Sequence, residues 1–461
     1  MNWSTAVNTT IWDGSATITQ ADATSALANN ITIENGATLT VPTNKWLTVA
    51  GTCVNNGTAA NLVVASGGSL IQSTSGVQAT VGRAVAAWTD PSHGWHLLSS
   101  PVTGQTIPPI FTDPTPANYD FYMWGETQNL WLNQKILANG ITTFQNGTGY
   151  LVAYLTAATK QFTGPLNFSD VTGLNLTKTA GYPAGDVTSG WNLMGNPFSS
   201  ALTWYTGWGL SGNITATAKI WNEPIASYTD VPAGGIIPAE QGFMVETSTN
   251  NTAMSIPAAA RVHNALPWYK STGNPIVKLV AHNPAAQTAQ ESVVTFDNQS
   301  AQGFDPNYDC RFFAGYAPLF YSLDGAEHLS TNALPELNIL TTVPFNFIKT
   351  EGSSYTIEAT QLENFPSEVY LNDLKLNQSQ NLVTNPVYAF TSSDGDDPAR
   401  FLLTFGHMVG TGDKTLDNNN IYTYENNLYI VNPGKARFEV YNLTGQKLQA
   451  QEIDSPGLFK T

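Results

Sequence analysis

The sequence predicts an all-β protein of several modules: an N-terminal β-solenoid-like repeat, tandem β-sandwich-like modules, a jelly-roll-like sandwich and a partial immunoglobulin-like C-terminal domain. Apolar and hydroxyl residues alternate in short segments such as 31–33 and 47–49, a pattern typical of half-buried strands. One eight-residue phrase occurs at 94–101 and again at 190–197. Only 11% of the 461 residues are charged, less than half of the usual share of about 25%. Uncharged polar residues must therefore cover the surface, as in many extracellular β proteins.

The first predicted region is 1–83, where apolar residues recur in strand-like segments. Successive members of the series are separated by 15, 16, 15 and 17 positions: Ile18, Ile33, Val49, Val64 and Val81. Turn signals such as Asn35-Gly36 lie between them. This spacing is too short for a helix plus a strand and favours the rungs of a right-handed parallel β-solenoid. An antiparallel meander is the alternative.

The repeated phrase defines two further modules, at 84–181 and 182–265. Gly-Trp-His-Leu-Leu-Ser-Ser-Pro in the first becomes Gly-Trp-Asn-Leu-Met-Gly-Asn-Pro in the second, and each copy is followed by a second shared phrase, at 149–152 and 242–245. A tandem repeat of this length indicates a duplicated structural unit. The tryptophans of the two phrases, Trp95 and Trp191, lie in alternating segments and are predicted to be core residues.

Two regions follow the modules. Residues 270–410 contain several short alternating segments separated by turns, which favours an antiparallel sandwich or jelly roll. Residues 415–461 contain further strand-like segments at 421–430 and 438–448.

The last region resembles the C-terminal sorting domain of type IX secretion cargo, a small immunoglobulin-like β fold. The similar positions are 427–430, the V-Y-N-x-x-G-Q motif at 440–446, and 457–459. The resemblance implies a truncated form of that domain, because its final basic strand has no counterpart before Thr461. The tandem modules also resemble those of large bacterial surface proteins that use this export route, as does the Tyr-Asp-Cys sequence at 308–310. The implied location is extracellular or on the outer cell surface.

Charge and hydropathy exclude several partners. The net charge of −16 and the isoelectric point near 4.6 argue against nucleic acid and against an anionic membrane surface. No apolar run reaches the roughly 18 residues of a membrane-spanning helix. Cys53 and Cys310 are expected to be small buried residues, with a bridge between domains as the alternative.

The sequence contains no motif of a catalytic, zinc or nucleotide site, so it predicts no enzyme and no cofactor other than a possible calcium ion. A hydrolase would require two convergent carboxylates. Asp305 with Asp309, and Asp394 with Asp396, are candidate calcium ligands because calcium prefers several oxygen ligands. Turn formation by these side chains is the alternative explanation.

Aromatic residues provide the remaining candidates. Trp204 and Trp208 could stack on sugar rings, although core packing is the usual role of such side chains. The sequence thus predicts an exported, non-enzymatic surface protein, structural or adhesive, which assembles with itself or binds surface glycans. The alternative is a carbohydrate-binding accessory module of a polysaccharide-degrading system.

Overall fold

The computed structural model describes residues 7–18, 25–180, 188–263, 274–337, 341–365, 368–405, 420–424, 427–432, 436–441, 447–453 and 457–460. Two compact units are present: unit 1 contains 1–270 and 306–316, and unit 2 contains 271–305 and 317–461. The predicted all-β class is confirmed. The helices in the described ranges are six short 3-10 helices: Ala59–Asn61, Pro116–Asn118, Glu126–Gln128, Leu137–Asn139, Glu223–Ile225 and Ala258–Ala260. None of these helices has the length to cross a membrane. The five sequence-based domain boundaries stay predictions.

The N-terminal region of unit 1 consists of parallel strands in two sheets. Its strands are β1 (Val7–Ile11), β2 (Gly14–Thr17), β3 (Ser25–Ile33), β4 (Ala37–Val41), β5 (Trp46–Val49), β6 (Cys53–Asn55), β7 (Leu62–Val64), β8 (Ser69–Ile71) and β9 (Gln78–Val85). One sheet has the order β1-β3-β5-β8, with β6 also paired to β3, and the other contains β9-β7-β4-β2. All pairs among these nine strands are parallel, as a solenoid requires and a meander does not.

The period of this solenoid-like region differs from the sequence-based value. Ile33 pairs with Ile11, Val49 with Ala28, and Val64 with Val41. These partners lie 22, 21 and 23 positions apart, not 15 to 17. The predicted period was wrong because the apolar series ran through strands of both sheets, whereas the hydrogen-bonded partner of each strand lies in the next rung of the same sheet.

The two modules have the same sheet. The first contains β10 (His96–Leu98), β11 (Tyr119–Gly125), β12 (Leu130–Asn133), β13 (Tyr150–Tyr154), β14 (Ala158–Pro165) and β15 (Val171–Leu176). The second contains β16 (Trp191–Gly195), β17 (Ala201–Thr203), β18 (Ala218–Asn222), β19 (Ser227–Val231), β20 (Ile236–Ile237), β21 (Gly242–Glu246), β22 (Thr252–Ile256) and β23 (Arg261–Val262). The central sheets have the orders β10-β13-β11-β12 and β16-β21-β18-β19. Equivalent strands occupy equivalent places, so the duplication indicated by the repeated phrases is structural.

Both faces of each module sheet pack against other parts of unit 1. One face of the first sheet continues the core of the solenoid-like region, through residues such as Phe121 and Val152. One face of the second has its own core, which includes Phe243 and Val245. The opposite faces of both sheets contribute to one shared cluster. Trp191 is fully buried in that cluster and Trp95 packs at its edge.

Unit 2 is dominated by one large sheet. Its strands are β24 (Ile276–Asn283), β25 (Thr288–Phe296), β27 (Leu319–Asp324), β28 (Glu327–Leu334), β29 (Thr342–Ile348), β30 (Ser354–Glu363), β31 (Val369–Asp373), β32 (Gln378–Asn381), β33 (Val387–Thr391) and β34 (Ala399–Phe405), while β26 (Cys310–Arg311) belongs to unit 1. The order is β32-β31-β34-β29-β27-β28-β25-β24-β30-β33. Phe347 of β29 nevertheless contacts Phe390 of β33, with ring centroids 4.8 Å apart. The sheet therefore curls over its own core, as in a sandwich or barrel.

The C-terminal strands fall where the sequence predicts them. They are β35 (Asn420–Tyr424), β36 (Asn427–Asn432), β37 (Ala436–Tyr441), β38 (Lys447–Ile453) and β39 (Gly457–Lys460). The sheet orders are β35-β36-β39 and β37-β38. Residues 442–446, most of the V-Y-N-x-x-G-Q motif, lie outside the described residues.

Candidate functional site at the paired modules

The two modules contact each other through equivalent residues. An isolated antiparallel bridge joins Leu98, at the end of β10, to Gln241, just before β21. The equivalent bridge joins Met194 of β16 to Thr148, just before β13. The edge strand of each sheet, β10 or β16, therefore contacts a residue just before β21 or β13 of the other sheet. The two contacts are equivalent, as they are in a dimer with a twofold axis.

Backbone hydrogen bonds repeat this exchange. The Ser99 amide donates to the Glu240 carbonyl at 2.9 Å, and the equivalent Gly195 amide donates to the Gly147 carbonyl at 2.9 Å. Glu240 and Gly147 both have positive φ angles, 53° and 77°. The second module thus has a glutamate in the left-handed region where the first module has a glycine, which adopts that region without strain.

Residues 99 and 195 face each other at this contact. A Cβ atom on Gly195 would lie 2.3 Å from the Ser99 Oγ atom and 2.6 Å from the Thr148 carbonyl oxygen. Only one of the two equivalent positions has room for a side chain. This accounts for serine at position 99 and glycine at the equivalent position 195.

A glutamate in each module reaches the other module. Glu126 begins the 3-10 helix after β11 and accepts hydrogen bonds from the Thr179 amide at 2.7 Å, the Thr179 hydroxyl at 2.9 Å and the Gly190 amide at 3.0 Å. Burial by itself raises the pKa of Glu126, but the bonds from the Gly190 and Thr179 amides outweigh it and leave the pKa below its ordinary value. The charged carboxylate therefore fastens the start of the second module to the first.

Glu223 is the equivalent residue of the second module. Its carboxylate lies 2.5 Å from the Nδ1 atom of the buried His96 and 3.8 Å from the Arg83 guanidinium. The Nε2 atom of His96 lies 3.1 Å from the Ala86 carbonyl oxygen. His96 follows Trp95 in the repeated phrase, just as Asn192 follows Trp191. Each phrase is therefore held beside a glutamate of the opposite hairpin.

Glu240 is a fully buried carboxyl group at the same contact. Its Oε1 atom accepts no hydrogen bond. Burial, only partly offset by the charge of Arg83, raises its pKa to about 8. Glu240 is therefore mostly protonated at neutral pH.

Residues 306–316 form a strap that covers the second module. The Ala216 amide donates to the Pro306 carbonyl at 2.8 Å, and the Tyr316 amide donates to the Ala226 carbonyl at 3.0 Å. Between these ends, the Phe313 ring fills the shared cluster beside the sheet. Its centroid lies 5.4 Å from that of Trp191 and 4.9 Å from that of Tyr228. The strap closes this face of the sheet to solvent.

Charged groups are enclosed under the strap. The Nζ atom of Lys219 lies 2.5 Å from the Asp230 carboxylate, with the two side chains 1% and 12% exposed. Glu246, 2% exposed, pairs with Arg311 of the strap at 2.6 Å. Burial lowers the pKa of Lys219, but Asp230 and then Cys310 outweigh it and raise the pKa above its ordinary value. For Glu246, burial outweighs Arg311 and raises the pKa.

A separate pocket of about 400 Å³ lies in the loop between β14 and β15. Its polar lining includes Asn146, Asn167 and Asp170, and Phe168 is half-buried there. The Asn167 Oδ1 atom already accepts from Asn146 and Thr103, at 3.0 and 2.8 Å. The Asn167 side chain is therefore engaged within the protein.

The structure corrects the assignment of Trp204 and Trp208 as sugar-stacking residues. Trp204 is 0% exposed and Trp208 is 7% exposed, and both belong to the core of the second module. Their indole nitrogens donate to the carbonyl groups of Ala216 and Thr203, each at 2.8 Å. Neither ring exposes a face to a ligand, because both rings are packed in the hydrophobic core.

The four candidate calcium ligands have different surroundings. Asp305 lies in unit 2 and accepts from the Ala301 amide at 3.1 Å, whereas Asp309 is buried in unit 1. Asp394 pairs with Lys349 at 2.7 Å, and Asp396 pairs with Lys375 at 2.6 Å. Within the described ranges, no three His, Cys, Asp or Glu residues form a group that could hold a metal ion. The lysine partners supply the charge neutralisation that calcium would have provided for Asp394 and Asp396.

Both cysteines are buried and neither forms a disulfide bond, as the sequence predicts. Burial raises the pKa of Cys53 to about 12, so its thiol stays protonated and unreactive at neutral pH.

Sequence reasoning missed the residues that join the modules. A signal existed for Glu126 and Glu223, because each follows a repeated tryptophan by two positions, at Trp124 and Trp221. No comparable signal marks Lys219, whose neighbours are established only by strand pairing and by the strap.

Comparison with known proteins yields one family. A family described as a domain of unknown function (DUF8693) matches residues 3–233 and 209–405, which together include well over half of the chain. No curated protein matches the chain. No solved structure matches it either.

Proposed function

The chain belongs to the DUF8693 family, and we propose that it is an exported, non-enzymatic protein of the cell surface with a structural or adhesive role. The observation that carries this proposal is the use of polar side chains at the contact between the two modules of unit 1. Glu126, Glu223 and His96 connect one module to the other. Groups that an enzyme would direct into a cleft are here engaged in holding β modules together.

The surface composition supports the same role. A net charge of −16 arises from few charged residues, since only 11% of the chain is charged. Uncharged polar surfaces on rigid β modules suit a protein that works outside the cell as a scaffold or an adhesive.

Export through the type IX route is the second part of the proposal. It rests on the resemblance of 427–430, 440–446 and 457–459 to the sorting domain of such cargo. The experiment is to express the full chain in a type IX-competent bacterium and in an otherwise identical secretion-defective strain, and to treat intact cells with protease. We expect cleavage at the surface of the competent strain only. A variant lacking 415–461 should remain inside the cells, and equal retention of the full chain in both strains would contradict export.

Self-assembly is the expected mode of action at the surface. Mass photometry over a range of concentrations distinguishes a persistent assembly from a monomer. A monomer at all concentrations would exclude a self-assembling subunit and leave the adhesive role.

The second candidate is a carbohydrate-binding accessory module, and the pocket between β14 and β15 favours it. Amide and carboxylate side chains beside a half-buried phenylalanine are groups that bind sugars. Glycan-array binding that is lost in Asn146→Ala and Asp170→Ala, but kept in Lys349→Ala, a variant of unit 2, would establish this function. Absence of binding by the wild-type protein would eliminate it.

A further inference from the structure

Lys219 and Asp230 form a buried pair in the second module, with Cys310 beside Lys219. They lie directly opposite each other on β18 and β19, so both side chains leave the sheet on the same face. The Nζ atom lies 2.5 Å from a carboxylate oxygen of Asp230. An amine nitrogen and a carboxyl carbon are thereby held within reach of bond formation.

The surroundings remove water from this pair. Lys219 is 1% exposed, and its Nζ atom lies 5.6 Å from the centroid of the Trp191 ring. Phe313 of the strap also packs against Trp191, with the ring centroids 5.4 Å apart. Separated charges are costly where water is excluded, although Asp230 and Cys310 outweigh the effect of burial and favour the ammonium form of Lys219. The reaction therefore begins with transfer of the ammonium proton to the carboxylate, which gives an uncharged amine and an uncharged acid, the forms that can react with each other.

Glu246 is a third buried group on the same face of the sheet. It lies on β21, the strand on the other side of β18, and is electrostatically coupled to Lys219. Its ion pair with Arg311 ties it to the strap. Glu246 is therefore placed to position the pair and to adjust the charge state of Lys219.

We propose that Lys219 and Asp230 condense to an intramolecular isopeptide bond that cross-links β18 and β19. The Lys219 nitrogen attacks the Asp230 carboxyl carbon, and a new C–N bond forms. One C–O bond of the carboxyl group breaks, and the departing hydroxyl leaves as water with a proton from the nitrogen. No oxidant or cofactor is needed. Holding the two groups together replaces a bimolecular encounter, an advantage that reaches effective concentrations of about 10⁵ M or more.

The first module contains a matched pair that should not react. Lys135 lies 2.9 Å from Asp120, but these side chains are 27% and 32% exposed. Water reaches and solvates both side chains there, so the carboxyl group resists attack by the lysine. The two pairs can be compared in one sample.

The test is the intact mass of the folded wild-type protein, followed by peptide mapping. We expect a mass lower by one water than the sequence requires. Trypsin should fail to cut after Lys219 and should release residues 179–261 as a single peptide that lacks one water. Chymotrypsin, which cuts after Trp221 or Tyr228, should then leave two peptides still joined. Cleavage after Lys135 should be normal.

Variants give the control. Lys219→Arg retains a cation beside Asp230 but cannot form the amide, so it should have the full sequence mass and the near-ultraviolet circular dichroism of the wild type. If the bond forms after refolding, its rate in wild type should change with pH as Glu246 titrates. This pH dependence should disappear in Glu246→Gln and return in Glu246→Asp.

A folded wild-type protein of full sequence mass, with normal cleavage after Lys219, would overturn the proposal. Loss of water located at another site, with Lys219 free, would overturn it as well. A wild-type pH profile in Glu246→Gln would remove Glu246 as a positioning residue.

Discussion

The two modules share a sheet and differ in what the sheet encloses. Tyr122 and Asn133 are the cross-strand pair of the first module that corresponds to Lys219 and Asp230 of the second. The first pair is half-buried, and the second is enclosed. The strap over 306–316 makes the difference, because it covers the second sheet. The repeated glycine-containing phrases therefore produce the same sheet in both modules, while a segment distant in sequence, 306–316, determines which charged groups on that sheet are buried.

The largest expected effect comes from breaking the buried pair. Lys219→Met leaves the Asp230 carboxylate enclosed without its partner and also removes the proposed cross-link, so it should lower the free energy of unfolding by at least about 3–5 kcal/mol. Lys135→Met in the first module removes an exposed partner of Asp120 and should cost less than about 1 kcal/mol. Denaturant titration of both variants measures the difference. Equal losses would show that the strap does not distinguish the two sheets.

The next effect concerns the contact where the modules meet. Gly195→Ala places a methyl group 2.3 Å from the Ser99 Oγ atom and should destabilise unit 1 by about 2–3 kcal/mol, the upper part of the range for overpacking. Adding Ser99→Gly should restore part of the loss, since it removes one of the two clashing groups. Additive losses in the double variant, measured by denaturant titration, would contradict the facing arrangement.

Glu126 and Glu223 should contribute differently to the free energy of unfolding. Glu126→Ala leaves the amides of Thr179 and Gly190 without their acceptor and should cost about 2 kcal/mol. The folded-state pKa of Glu126 is lowered, so its contribution is present above its unfolded value near 4.5 and is lost as the pH falls through the folded pKa. Glu223→Ala, at a partly exposed carboxylate, should cost less. Thermal unfolding of both variants at pH 7 and at pH 3.5 tests the order, and the deficit of Glu126→Ala should be smaller at the lower pH.

Glu240 should give the opposite pH dependence, with the smallest effect over a single pH unit. Its pKa rises from an ordinary value of 4.5 to about 8 in the folded protein. The folded state therefore holds a proton that the unfolded state has released, and stability falls as the pH rises from about 4.5 to 8. Between pH 6 and pH 7 the loss should approach about 1 kcal/mol. Glu240→Gln should abolish this slope, and an unchanged slope would assign it to another group.

Much of the fold could be predicted from the sequence. Alternating segments predict many of the strands, the resemblance to the sorting domain predicts those at 427–430 and 457–459, and the repeated phrases predict the paired modules. Alternation of apolar and polar residues along a strand is a local property of the chain, so it can be recognised in the sequence. The solenoid period was misjudged because hydrogen-bond partners one rung apart are not neighbours in the apolar series.

The candidate site could be predicted only in part. Clustering of carboxylates in the sequence predicts Asp305 and Asp394 as calcium ligands, yet clustered carboxylates also form turns and ion pairs. Residue type alone predicts Trp204 and Trp208 as sugar-stacking residues. Their burial depends on packing between distant segments, which no local sequence pattern shows. Glu126 and Glu223 each follow a repeated tryptophan by two positions, so the repeat itself marks them as equivalent residues.

The sequence by itself determined the all-β class, the duplication and the low-charge surface of this protein, because each follows from composition or from the period of the chain. The tertiary structure alone decided which polar groups are enclosed. Residues 306–316 return to unit 1 from a stretch of chain that otherwise belongs to unit 2, and this return seals Lys219 beside Asp230. Burial of that kind depends on contacts between distant segments, and a charge that is ordinary in water becomes reactive or costly only when such contacts exclude the solvent.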